Sequence, residues 1–72
     1  MLKTHKEAAC LERAYLREAH LEGASFEGIH MEEINLDGAY MQEARLDGAS
    51  LKNANLFGIH LEKASLGWAN VR

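Results

Sequence analysis

Residues 34–48 read Ile34-Asn35-Leu36-Asp37-Gly38, Ala39-Tyr40-Met41-Gln42-Glu43, Ala44-Arg45-Leu46-Asp47-Gly48, and the three quintets superimpose. Each opens on a small or aliphatic residue and carries a large apolar residue two places later. Working outward in both directions, the same phase holds without a slip from Ala9 to Val71, thirteen units in all. The first slot is Ala ten times and Ile at Ile29, Ile34 and Ile59. The third slot is Leu nine times, with Phe26, Met31, Met41 and Val71 completing the series. None of the nineteen charged residues enters either slot. Repetition at a fixed period decides the architecture ahead of any propensity argument.

A period of five excludes the common elements. On an α-helix each residue advances about 100°, so successive units would rotate by about 140° net and scatter the large residues round the cylinder. On a flat strand an odd repeat would flip them from face to face. Apolar residues two apart do share one side of a short extended segment. If the chain then bends before the next unit, every large and every small apolar residue can point at one axis. Five of the six glycines (Gly23, Gly28, Gly38, Gly48, Gly58) fall in the fifth slot. That confinement marks the bend, because the third residue of a type II turn needs φ > 0. Ala, Leu, Glu, Lys and Arg make up just over half the chain, a long-helix composition. The spacing overrides it.

Units such as Ala54-Asn55-Leu56 and Ala69-Asn70-Val71 resemble the pentapeptide-repeat family, whose unit reads roughly Ala-(Asp/Asn)-Leu-X-X. The resemblance covers residues 9–72 and implies an all-β fold, a right-handed quadrilateral parallel β-helix with four units per coil. Thirteen units then give about three and a quarter coils. The implied inward large residues are Leu11, Leu16, Leu21, Phe26, Met31, Leu36, Met41, Leu46, Leu51, Leu56, Leu61, Leu66 and Val71. The second slot departs from the family preference, with Asn only at Asn35, Asn55 and Asn70. Residues 1–8 break the pattern, with Thr4 and Lys6 where apolar residues are due, and are expected to form an N-terminal cap or a frayed segment.

Four units per coil make residues twenty apart vertical neighbours. Opposite charges are then expected on successive rungs at Arg13 and Glu33, Arg17 and Asp37, Glu32 and Lys52, and Glu43 and Lys63. Each exposed pair is worth about 0–1 kcal/mol. His20, Tyr40 and His60 share a column and are expected to stack. Cys10 and His30 share another, but two ligands fall short of the four a structural zinc site wants. The expectation is no metal and no cofactor. Nor does any Ser/His/Asp set, buried carboxylate pair or phosphate loop appear, so no catalytic residue and no enzyme activity are expected.

Length and charge limit the partners. Seventy-two residues make one domain. A net charge of −3 without a basic stripe argues against nucleic acid. No apolar run is long enough for a bilayer, and one cysteine cannot form an internal disulfide; a cytoplasmic, membrane-free setting is the expectation. Phe57 and Trp68 fall in outward slots, and Leu66 and Val71 belong to the last rung. These four are the candidate interface, for self-association through the C-terminal end and for a protein partner on an outer face. The favoured function is a non-catalytic scaffold or protein-interaction module that forms a homo-oligomer. The resemblance adds an alternative, since some members mimic B-DNA and inhibit type II topoisomerases such as gyrase. A filament-forming subunit, stacking end to end, is the third.

Overall fold

In the computed structural model, which describes residues 10–72, the backbone returns beside itself every twenty residues. Nine parallel bridges record the return, from Cys10 with His30 and Tyr15 with Asn35 through to Ser50 with Asn70. Every bridging residue is a second-slot residue, so four five-residue units separate neighbours in each column. The expected column map therefore holds. The segment 1–8 assigned as a cap, and Ala9, lie outside the described residues.

Each side of the circuit is a minimal strand, and hydrogen bonds show why it stays in register. The third-slot N–H donates to the second-slot carbonyl of the next rung, as Leu36 does to Asn55 at 2.8 Å and Leu46 to Ser65 at 2.7 Å. The second-slot N–H donates back to the previous rung, as Tyr40 does to Ala19 at 2.8 Å. The corner is closed within the unit, where the next first-slot N–H meets the third-slot carbonyl; Ala44 to Met41 is 3.0 Å. Such an i→i+3 bond, with a positive φ at the third residue alone, is the type II pattern.

Glycine turned out to be a partial marker of that corner. Every fifth-slot residue from Arg13 to Trp68 has positive φ, whether glycine or not. Arg13, Glu18, Glu33, Glu43, Asn53, Lys63 and Trp68 occupy it at φ of 59–64°. A left-handed non-glycine residue costs about 1–2 kcal/mol. The ladder bonds and the buried rungs on either side over-determine the corner and hold it there. Replacing exposed Lys63 by glycine is accordingly expected to stabilise the fold by up to about 1 kcal/mol, the relief exceeding the entropy that glycine adds to the unfolded chain. Thermal melts followed by circular dichroism check the sign.

Inside the circuit only apolar side chains meet. Met31, Ile34, Leu36, Ala39, Met41, Ala44, Leu46, Ala49 and Leu51 are at most 2 % exposed, and among the described residues no polar or charged side chain is buried. Those nine run from Met31 to Leu51, one circuit and the start of the next, and each has a rung on both sides. Leu11, Leu16, Leu21, Phe26, Leu56 and Leu61 occupy the same phase one rung out and are half-buried against them. Leu66 and Val71, in the core phase but on the last rung, are 39 % and 55 % exposed. Inward phase therefore sets where a side chain points, and the neighbouring rungs set whether it is dry.

The β-branched exceptions fit the same frame. Ile34 stands in its small-residue column between Ala14 and Ala54 and is fully buried. Ile29, next to the buried and flexible Met31, is half-buried. Ala14 and Ala54 on the adjoining rungs leave room for the extra carbons of Ile34, and interiors tolerate added volume only where such room exists.

Candidate functional site

With the core apolar throughout, chemistry is confined to four outer faces, each built from a second-slot and a fourth-slot column. The second-slot residue bridges to the neighbouring rungs and the fourth-slot residue opens the turn two places on, its N–H within reach of a second-slot side chain.

The second slot performs a backbone task where it holds asparagine. The Oδ1 atoms of Asn35, Asn55 and Asn70 each accept the N–H two residues on, from Asp37, Phe57 and Arg72, all at 3.1 Å. This Asx-type bond satisfies a fourth-slot donor. At Gly67 the second-slot residue is Ser65. Asp47 of the previous rung takes over: its Oδ1 accepts the Gly67 N–H at 2.8 Å and the Ser65 hydroxyl. The Ser65 hydroxyl, the Gly67 N–H and the nearby Arg45 charge hold the Asp47 carboxyl below its usual range.

On a second face His20, Tyr40 and His60 stack with ring centroids 4.5 and 4.6 Å apart and planes within 3°. The column expectation is met there. His20 Nδ1 also lies 3.2 Å from Glu22 Oε2. The Glu22 carboxyl is lowered, first by its own backbone N–H and then by His20.

Of the four expected cross-rung charge pairs, two form. Arg13 Nε reaches Glu33 Oε1 at 3.0 Å, and Arg17 Nε reaches Asp37 Oδ2 at 3.4 Å. The Arg17 guanidinium is held further in its charged form, chiefly by the Tyr15 side chain. Glu32 and Lys52, and likewise Glu43 and Lys63, occupy successive rungs without an ion pair; the Glu33 N–H donates to the Lys52 carbonyl at 2.9 Å, so the rungs themselves are in register. Glu32 turns along its own rung, placing Oε2 3.5 Å from His30 Nδ1. A further pair was not foreseen: Arg45 meets Glu27 diagonally at 2.6 Å, eighteen residues away. Column reasoning looks only straight up and down and misses a diagonal.

Cys10 and His30 are bridged through their backbones as expected. The donor atoms that converge on this face, however, belong to Glu12, His30 and Glu32, which lie within 4.8 Å of one another. The Glu32 carboxyl is lowered, first by the Ser50 hydroxyl on the following rung, then by its own N–H and by His30. The two glutamates were legible as a column but carried no distinctive motif.

Phe57 and Trp68 are outward, at 80 % and 98 % exposure, and Tyr15 is 71 % exposed. Trp68 stands near Leu66 and Val71 in sequence at the same open rung; Phe57 lies on a different face, in the column of Arg17 and Asp37. Three of the four candidate interface residues thus fall within six positions of one another on the last rung, and Phe57 lies apart from them. No helix among the described residues is long and apolar enough to cross a membrane.

The fold and its faces define a stacked-repeat protein with an apolar centre and all of its polar chemistry outside. The pentapeptide repeats match residues 9–33 and 34–72, nearly the whole chain, and the break between the matches falls on a unit boundary. The chain belongs to the pentapeptide-repeat family. Members are generally non-catalytic structural or interaction modules built as right-handed β-helices. No curated protein matches the chain.

Proposed function

We propose that this protein is a non-catalytic scaffold, a right-handed quadrilateral β-helix of about three and a quarter coils, that self-associates through the end bearing Leu66, Trp68 and Val71. The observation that carries the reading is the contrast in burial along one inward phase. Leu46 is 1 % exposed, whereas Leu66, one rung on in the same column, is 39 % exposed. Val71 and Trp68 beside it add a further aliphatic residue and an almost fully solvated indole. Covering such an edge with a second copy removes apolar area from water at roughly 25 cal/mol per Å². It also supplies partners for a bare ladder edge. A two-fold dimer closes the edge, and head-to-tail stacking propagates it.

The gyrase-inhibitor alternative calls for a continuous acidic surface. Here the charges alternate: Arg17 stands over Asp37, Arg45 meets Glu27, and Lys52 follows Glu32. That mixture supports the scaffold reading and argues against a nucleic-acid ligand; a cytoplasmic setting is part of the same proposal.

Light scattering coupled to size exclusion tests the proposal on the full chain at micromolar concentration. A dimer or larger species is expected, reverting towards monomer in Trp68→Ser with Val71→Ser. A monomer at all concentrations, with tryptophan emission typical of full solvation, refutes it. Elongated particles in electron micrographs would assign head-to-tail stacking, and inhibition of DNA supercoiling by gyrase would replace the scaffold reading.

A further inference from the structure

The pairing of a second-slot histidine with a fourth-slot glutamate occurs three times, at His20 and Glu22, His30 and Glu32, and His60 and Glu62. Register makes one of them different. Twenty residues from Glu32 the fourth slot holds Glu12, so a second carboxylate stands on the adjoining rung of the same face. The corresponding neighbour of both Glu22 and Glu62 is Gln42, a neutral amide. Among the described residues the donor atoms of Glu12, His30 and Glu32 form a three-membered group within 4.8 Å.

We propose that Glu12, His30 and Glu32 bind a single divalent cation of the zinc class, one nitrogen and two carboxylate oxygens supplying three ligands and water the remainder. The chemistry of the set fits. Imidazole with carboxylates suits Zn²⁺, Co²⁺ and Ni²⁺ better than the oxygen-only cations Ca²⁺ and Mg²⁺. Ligands at 2.0–2.1 Å round a tetrahedral ion stand roughly 3.3 Å apart. The three side chains therefore have to draw in by about 1.5 Å at most. Glutamate has the rotatable bonds to do so, and the two rungs that carry the group are held by hydrogen bonds, Leu11 to His30 at 2.7 Å and Arg13 to Glu32 at 2.9 Å.

A second observation points the same way. Glu32 Oε1 is shielded from solvent without a hydrogen-bond partner, as is Gln42 Oε1 on another face, while the Glu32 side chain as a whole is 32 % exposed and its carboxylate faces Ser50 and His30. A carboxylate oxygen out of contact with solvent favours a partner, and a cation supplies one. Arg13 is engaged by Glu33, and the group that faces the two carboxylates is His30, which carries a charge only when protonated. Two carboxylates facing one histidine thus await a positive charge at their centre.

Titration of the metal-free full chain with Zn²⁺ by calorimetry, and with Co²⁺ by visible absorbance, tests the site. One ion per chain is expected, with nitrogen–oxygen ligation in the Co²⁺ spectrum. His30→Ala and Glu12→Gln are each expected to weaken binding at least about tenfold, since even groups behind a metal ligand cost that much. His20→Ala and His60→Ala, on the stacked face, are expected to leave it unchanged. All four positions are outward, and matching thermal melts without metal establish that each variant is folded. No saturable binding below about 1 mM overturns the proposal. So does equal affinity in wild type and His30→Ala, the result of adventitious ions only.

Discussion

Replacing Ala44 by aspartate is expected to leave the chain unfolded at 25 °C. Ala44 is fully buried in the middle circuit, with apolar side chains on its own rung and on those above and below. No buried polar group among the described residues could answer the new carboxylate. An uncompensated buried charge costs roughly 3–5 kcal/mol or more, and a small domain has only about 5–15 kcal/mol in all. The corner cannot turn the side chain outward, because a one-residue slip would break the 3.0 Å bond to Met41 and every ladder bond in that rung. Asn53→Asp, an acidic change at an exposed corner, is expected to stay within about 0.5 kcal/mol of wild type. Circular dichroism of the two variants in urea makes the comparison. A folded Ala44→Asp would mean the first slot does not face the axis.

The second large effect is a contrast within one column. Leu46→Ala is expected to cost about 2–5 kcal/mol, through lost transfer energy and the cavity left between two rungs. Leu66→Ala removes the same atoms one rung later, where the side chain is 39 % exposed and no further rung packs on it. It is expected to cost less than half as much when dilute. Self-association through that end covers Leu66, so the cost of Leu66→Ala should rise with protein concentration while that of Leu46→Ala does not. Urea midpoints at two concentrations read both results. The pair thus tests the core and the association proposal with separable outcomes: a concentration-independent Leu66→Ala speaks against association without touching the fold.

Much of this was legible in the residues. The inward phase of Leu36, Met41 and Leu46 follows from an apolar residue every five positions and from the absence of charge in that slot. The fifth-slot corner is legible at Gly38 or Gly48, yet the same left-handed backbone at Glu43, Lys63 and Trp68 is not, since those residues disfavour it on their own. The partners of charged side chains were half legible. Arg13 finds Glu33 straight along its column, but Arg45 reaches diagonally to Glu27, and Glu32 turns to His30 instead of Lys52. A long side chain samples every acceptor within its reach, and a column map contains only one of them.

By itself the sequence determined the five-residue period, the inward and outward slots and the fifth-slot bend, which together exclude a long helix or a flat strand; these depend on local geometry, which each unit carries within itself. The return after twenty residues follows from no single unit; the family resemblance implied it and the bridges bear it out, and with it come which side chains are dry, which histidine gains a second carboxylate, and which leucine is left half in water. Those properties depend on what lies one rung away. Burial and ligand convergence are set by distance in space, and a unit of five residues holds no information about its neighbour twenty positions on.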